Sequence, residues 1–303
     1  MARKIRQFHY GVDGEGPHLL ITGGVHGDEF ESIRAIWELI QHFESGESLS
    51  SSLRGQLTLA PIVNEDACRL GQRCGRDQRD LARHCPGDPE GSPTEQNAWA
   101  LSELIRQADY YIDLHTGGTV YSVYPLAGYT LHPDESVLET QRRMARAFNL
   151  PAIWGTAANL DGRSLSVARD ANVPAIYCEY LGSANCDLHG VADYVEGCLN
   201  VMGELKMLDR PQPESRLKHI IEDPTPGSGH MQIQNPSPVT GLFEPAVKLG
   251  TEVRSGERFG VVYDIEDYQP REILAEQNGL VLVLRTFPHV EKGESVGVIA
   301  AQG

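Results

Sequence analysis

Gly23-Gly24-Val25-His26-Gly27-Asp28-Glu29 stands between two stretches of opposite character. Before it, Leu19-Leu20-Ile21 is a short apolar run that reads as a buried strand. After it, Ser32 to Ile40 places apolar residues at helical spacing. The stretch is therefore a strand-to-helix loop. His26 and Glu29 lie three residues apart on a tight turn, so an imidazole and a carboxylate can point at one spot, as a metal site needs. The paired glycines let backbone pass close beside that spot. Such a pair also occurs at ordinary helix starts, so its meaning depends on what the rest of the chain brings to it.

Working outward, strand and helix patterns alternate. Residues 5–12 read as an edge strand and Gln56 to Asn64 as a second buried strand. The following helix of the opening loop carries Ile33, Ile36, Trp37 and Ile40 on one face. A polar stretch from Arg69 to Pro89 holds Arg69, Arg73, Arg76, Arg79 and Arg83 with little apolar periodicity, and reads as a long functional loop. Ser92-Pro93-Thr94-Glu95 combines an N-cap serine, a first-turn proline and a capping-box glutamate, and opens a helix. Strands follow at Tyr110–Thr116, Tyr121–Leu126, 151–154 and Val173–Tyr180, separated by helices from Asp134, from Ser164 and around Val191–Leu205. This alternation predicts an α/β fold, a mixed and mostly parallel sheet with helices on both faces. Ligands in such sheets bind beyond the carboxyl ends of the strands, and His26, His115 and Glu179 all fall there.

Past Leu208 the pattern changes. Asp209-Arg210-Pro211-Gln212-Pro213 reads as a linker, and the remainder as short strands broken by glycine turns, with Asn278-Gly279 as a hairpin signal. Two domains are expected: a catalytic domain over 1–208 and a smaller all-β domain over 209–303.

A formal charge of -16 and a sequence pI of about 5.1 argue against nucleic acid or an anionic membrane surface as partner. The six cysteines lack C-x-x-C spacing, which fits reduced thiols, and the basic N-terminus is not followed by an apolar run. A cytoplasmic protein acting on a small molecule is the expectation, with self-association left open.

The chemistry follows from ligand count. Two histidines and one carboxylate with a fourth open position form one of the usual catalytic zinc sets, and His26, Glu29 and His115 supply it. His9, His84 and His189 lack a comparable setting. Hydrolysis also needs a base, and Glu179 is a carboxylate ending an apolar strand. The arginine stretch offers a carboxylate clamp and an oxyanion stabiliser.

Taken together, Gly-Gly-x-His-Gly-Asp-Glu, Asp80-Leu81-Ala82-Arg83 with Pro86-Gly87, Asp113-Leu114-His115-Thr116-Gly117 and Glu179 resemble the succinylglutamate desuccinylase/aspartoacylase family of the zinc carboxypeptidase superfamily. The resemblance implies one zinc per chain on His26, Glu29 and His115, with Glu179 as general base and proton shuttle. It implies that Arg83 grips a substrate carboxylate and that Arg73 or Arg76 polarises the scissile carbonyl, Arg73 being preferred and Arg76 then a substrate contact. The family's Asp-Leu-Asn-Arg reads Asp-Leu-Ala-Arg here, with Ala82 in the asparagine's place. The expected function is a zinc-dependent deacylase of N-acyl amino acids or similar small molecules. The rival readings are a carboxypeptidase acting on a peptide or cell-wall fragment and a non-catalytic binding module.

Overall fold

The computed structural model describes residues 4–12, 14, 16–45, 47–231 and 234–301. In chain order its first elements are β1 (Phe8–Gly11), β2 (His18–Thr22), α1 (Phe30–Ser45), α2 (Glu47–Ser52), β3 (Gln56–Ala60), α3 (Glu65–Leu70) and a 3-10 turn, Leu81–Arg83. Then come α4 (Pro93–Gln107), β4 (Tyr110–His115), β5 (Tyr121–Thr130), α5 (Glu135–Phe148), β6 (Ala152–Thr156), α6 (Ser164–Asp170), β7 (Ala175–Gly182) and α7 (Leu188–Glu204). The tail adds β8 (His219–Asp223), β9 (Gly241–Pro245), β10 (Glu252–Val253), β11 (Arg258–Asp264), β12 (Pro270–Leu274), β13 (Gly279–Arg285), β14 (His289–Val290) and β15 (Gly297–Ala300).

The α/β expectation holds, and the reason is visible in the side-chain alternation. Strands β3, β2, β4 and β7 run parallel side by side, with β1 antiparallel at the edge and β5 antiparallel beyond β7. Leu19, Ile21, Leu57, Leu59, Ile112 and Leu114 face one core, which α1, α5 and α7 close. The alternate residues Leu20, Ala60 and Tyr111 face a second core under α4 and α6. Both sheet faces are buried, so the strands read as continuous apolar runs. Each fully buried Leu or Ile contributes about 1.5–3 kcal/mol.

Several local expectations are corrected. Trp37 is not on the inward face of α1; it is 46% exposed, and Leu39 and Phe43 complete the buried stripe with Ile33, Ile36 and Ile40. The second strand stops at Ala60, because Asn64 instead caps α3, its side-chain oxygen accepting from the Ala67 N–H at 3.2 Å. Asn278-Gly279 does not close a hairpin: β12 pairs with β11 in a four-stranded sheet, whereas β13 pairs with β5, β10 and β15 in the main one. The dipeptide carries the chain from one sheet to the other.

The tail is bound into the main sheet. β8, beyond the composition change at residue 209, pairs in parallel with β6, and β13 pairs with the first half of β5. β5 can serve β13 and β6 along one edge because a register shift between Val123 and Leu126 bends it, at Tyr124-Pro125, where proline has no N–H to lose. The order β12-β11-β9-β14 forms a separate antiparallel sheet that packs Phe243, Phe259 and Val262 against Val281 and Leu284 of β13. Among the described residues, no helix is long and apolar enough to cross a membrane.

Candidate active site

Three strand ends build the centre. The loop after β2 presents His26 and Glu29, held there by close packing: a Cβ on Gly27 would lie 2.0 Å from the Ala67 carbonyl carbon of α3. His115 ends β4 and Glu179 lies directly beside it in the β4–β7 register, so both side chains leave the sheet on the α4 and α6 face. The metal-ligand expectation for His26, Glu29 and His115 meets a compact trio, their candidate ligand atoms all within 4.8 Å of one another.

Glu29 is 1% exposed and sits between the two imidazoles, Oε1 at 2.7 Å from His26 Nδ1 and Oε2 at 2.9 Å from His115 Nδ1. Burial would push its carboxyl up, yet the two imidazoles hold it well below the usual carboxylate range. The far nitrogen of each ring meets a further carboxylate: His26 Nε2 lies 3.0 Å from Asp80 Oδ1, and His115 Nε2 lies 3.1 Å from Asp113 Oδ2. With those nitrogens as donors, both Nδ1 lone pairs turn inward, which is how metal-ligating histidines are oriented by an outer carboxylate. The donor set therefore fits a divalent metal bound through His26, Glu29 and His115.

Asp113 is itself fixed from two sides, accepting from Thr22 Oγ1 at 2.8 Å and Ser164 Oγ at 2.5 Å. Asp80 accepts from Arg73 Nε and Nη2 at 3.2 and 3.0 Å, and its Oδ1 caps the 3-10 turn through the Ala82 N–H. Both aspartates stood in the quoted motifs without a role; the structure gives them one.

Glu179 is 6% exposed, and its Oε2 is buried without a hydrogen-bond partner among the described residues. Burial, with Glu29 adding to it, raises its carboxyl well above the ordinary value, His115 and Arg73 only partly offsetting this. A buried carboxyl that keeps an unused oxygen beside a candidate metal site is poised to exchange protons.

The arginines separate. Arg73 lines the cavity, its Nη1 3.9 Å from Glu29 Oε1, and Arg83 and Ala82 line it too. Arg76 does not belong to the site: its side chain is 71% exposed and its Nη1 bonds Asp66 Oδ1 at 2.5 Å, because Asp66 in the first turn of α3 also takes the Arg76 N–H. Its place as a second cation is taken by Arg163, which the sequence did not single out. Gly162, at φ +82°, packs against the Arg83 carbonyl, where a Cβ would come within 2.7 Å of the oxygen. That contact brings Arg163 beside Arg83. Burial and the neighbouring Arg83 charge lower the Arg163 guanidinium to about 10. Two partly buried guanidinium groups side by side form a site for an anion. Of the competing histidines, His9 bonds Thr58 and His84 bonds the Asp80 carbonyl, and neither lines the cavity.

The cavity is a cleft whose mouth opens to solvent. Its walls combine His26, Glu29, His115 and Glu179 with Arg73, Arg83 and Arg163, and the tail contributes Met231 and Val283.

Comparison with known proteins agrees with this arrangement. The succinylglutamate desuccinylase/aspartoacylase catalytic-domain model matches residues 15–197. Over 306 residues the chain is 32% identical to the N-alpha-acetyl-L-2,4-diaminobutyric acid deacetylase of Halomonas elongata, covering 95% of this chain and 83% of that protein. The crystal structure of a succinylglutamate desuccinylase/aspartoacylase from Rhodobacter sphaeroides superposes with a TM-score of 0.84 at 28% identity, covering 96% of this chain and 87% of that one. The product-bound ectoine utilization protein EutE (DoeB) of Ruegeria pomeroyi shares the fold, with a TM-score of 0.86 at 24% identity over 98% of this chain and 89% of that one. The chain belongs to the succinylglutamate desuccinylase/aspartoacylase family. It is thereby a hydrolase of the deacylase class.

Proposed function

We propose that the protein is a zinc-dependent deacylase that hydrolyses the amide bond of an N-acyl amino acid. The observation that carries this reading is the buried, unpartnered carboxyl of Glu179 beside the His26, Glu29 and His115 trio. Zinc, when bound there, would polarise the amide carbonyl and bring the pKa of its water to about 7. Glu179 takes a proton from the attacking water and delivers it to the leaving nitrogen, so that the amine departs neutral. Arg73, fixed by Asp80, faces the developing oxyanion. Arg83 and Arg163 hold the carboxylate of the amino acid, which takes up the work of the missing asparagine at Ala82.

An acetyl group is the first acyl group to test, since the Halomonas relative is by name a deacetylase. The tail residues Met231 and Val283 in the cavity wall favour an enclosed small molecule over a peptide lying in an open groove. The experiment is release of primary amine from a panel of N-acetyl and N-succinyl amino acids and C-terminally free peptides by zinc-loaded protein. Glu179→Gln is expected to keep zinc and lose about 10²–10⁴-fold in kcat. Near-normal turnover by that variant, or no amine release from any panel member, overturns the reading.

A further inference from the structure

Beyond the trio and the arginines, the cavity continues down the face of the sheet, and its chemistry changes. In the β5–β7 register Glu179 lies opposite Leu126 and Tyr177 opposite Gly128; in the β5–β6 register Thr130 lies opposite Thr156. Each two-residue step stays on one face and moves about 7 Å along the strand. Tyr177, Thr130 and Thr156 therefore form the deep end, and all three line the cavity. Among the described residues none of their hydroxyls has a hydrogen-bond partner. The remaining cavity residues near them are apolar: Leu160, Leu165 and Met231.

No carboxylate among the described residues belongs to this end, and the nearest positive charge is Arg163, which acts on the Tyr177 phenol. Among the described residues, the only carboxylates lining the cavity are Glu29 and Glu179, both at the metal-site end. Arg83 and Arg163 line the cavity beside this end, Arg163 within electrostatic reach of Tyr177, and in the deacylase reading the carboxylate they hold belongs to the amino-acid half of the substrate. Leu160 and Leu165 bracket Arg163 on the same stretch of chain. The half that enters the chamber is accordingly the amino-acid side chain.

We infer that this chamber selects leaving amino acids with an uncharged side chain, the hydroxyls of Tyr177, Thr130 and Thr156 receiving a hydroxyl or carboxamide tip. A side-chain ammonium would lose its water there, meet no carboxylate and face two guanidinium groups. A neutral donor or acceptor of the same size finds three hydroxyls that can each donate or accept. The inference rests on the deacylase reading for the bond that breaks, but not for which side chain binds.

The test is a matched series with zinc-loaded wild type: the N-acetyl derivatives of homoserine and 2,4-diaminobutyrate, which differ at one atom, and those of glutamine and ornithine. The uncharged member of each pair is expected to be preferred by about 100-fold in kcat/KM. Thr156→Val and Tyr177→Phe are expected to lower the homoserine derivative relative to the 2-aminobutyrate derivative by about 10-fold, and Thr156→Ser to restore that ratio. Equal or better use of the ammonium-bearing partners overturns the inference while leaving the deacylase reading intact. If no compound of this series is hydrolysed, the deacylase reading is decided by the wider acyl panel, and calorimetric binding of the same pairs decides the inference. Preferential binding of the uncharged members supports it, and equal binding or none overturns it.

Discussion

At the scale of single residues, the site depends on carboxylates that aim other groups. Asp113 touches His115 Nε2, Thr22 and Ser164, so one buried carboxylate links a candidate metal ligand to the residue following Arg163. His115 and Asp113 support each other electrostatically: burial opposes both charges, and their contact overcomes it, lowering the aspartate and raising the imidazole. Asp113→Asn keeps the shape but removes the charge that fixes the ring. Zinc affinity is expected to fall about 10–100-fold, measured by competition with a chromophoric chelator. An unchanged affinity would mean that His115 is oriented without Asp113. The candidate metal ligands His26, Glu29 and His115 and the candidate base Glu179 were legible, since they fall at or just after strand ends that periodicity locates. Arg163 was not, because nothing near Asp161-Gly162-Arg163 marks it as facing Arg83 until Gly162 is seen against the Arg83 carbonyl.

At the scale of elements, the arginine-rich stretch is more ordered than its composition suggests. A six-residue helix such as α3 is too short to show a period, and the turn at Leu81–Arg83 shows none. What fixes the stretch is hydrogen bonding together with a few apolar anchors, Leu81 and Cys85, which reach the core under α4. Asp77 is the clearest case: its Oδ2 accepts the Thr94 N–H at 2.9 Å and its Oδ1 the Thr94 hydroxyl at 2.8 Å, tying the loop to the first turn of α4. Burial opposes the charge slightly, and the Thr94 bonds win, holding the Asp77 carboxyl below its ordinary value. A carboxyl lowered by folding adds stability above its unfolded pKa of about 3.9, and that stability is lost as the pH falls through the folded value. Asp77→Asn is expected to cost about 1 kcal/mol at pH 7, as loss of a helix cap does, and progressively less below about pH 4. Urea denaturation of both proteins at pH 7 and pH 3 checks it; a pH-independent difference would remove the charge from the account.

At the scale of the whole molecule, the composition change at residue 209 is real, and the chain from Asp209 to Lys218 has no regular structure. What composition cannot show is where the later strands pair, because register depends on a partner far away in sequence. β8 extends the sheet beyond β6, while β13 lies against β5 and delivers Val283 to the cavity. The packing there is shared: Val123, Leu126 and Trp154 from the first part meet Ile221, Leu280, Leu282, Val283 and Val298 from the second. Removing the second group forfeits on the order of 10 kcal/mol of burial, as much as the entire net stability of an ordinary domain. A chain cut after Leu208 is therefore expected to lack a cooperative thermal transition and to bind hydrophobic dye, where the full chain melts cooperatively. A truncated protein that is monomeric, melts cooperatively and keeps its near-ultraviolet circular dichroism would show that the first 208 residues fold alone. The cavity would then have to be regarded as a groove open on the β13 side, and the case for an enclosed small substrate would pass to the peptide alternative.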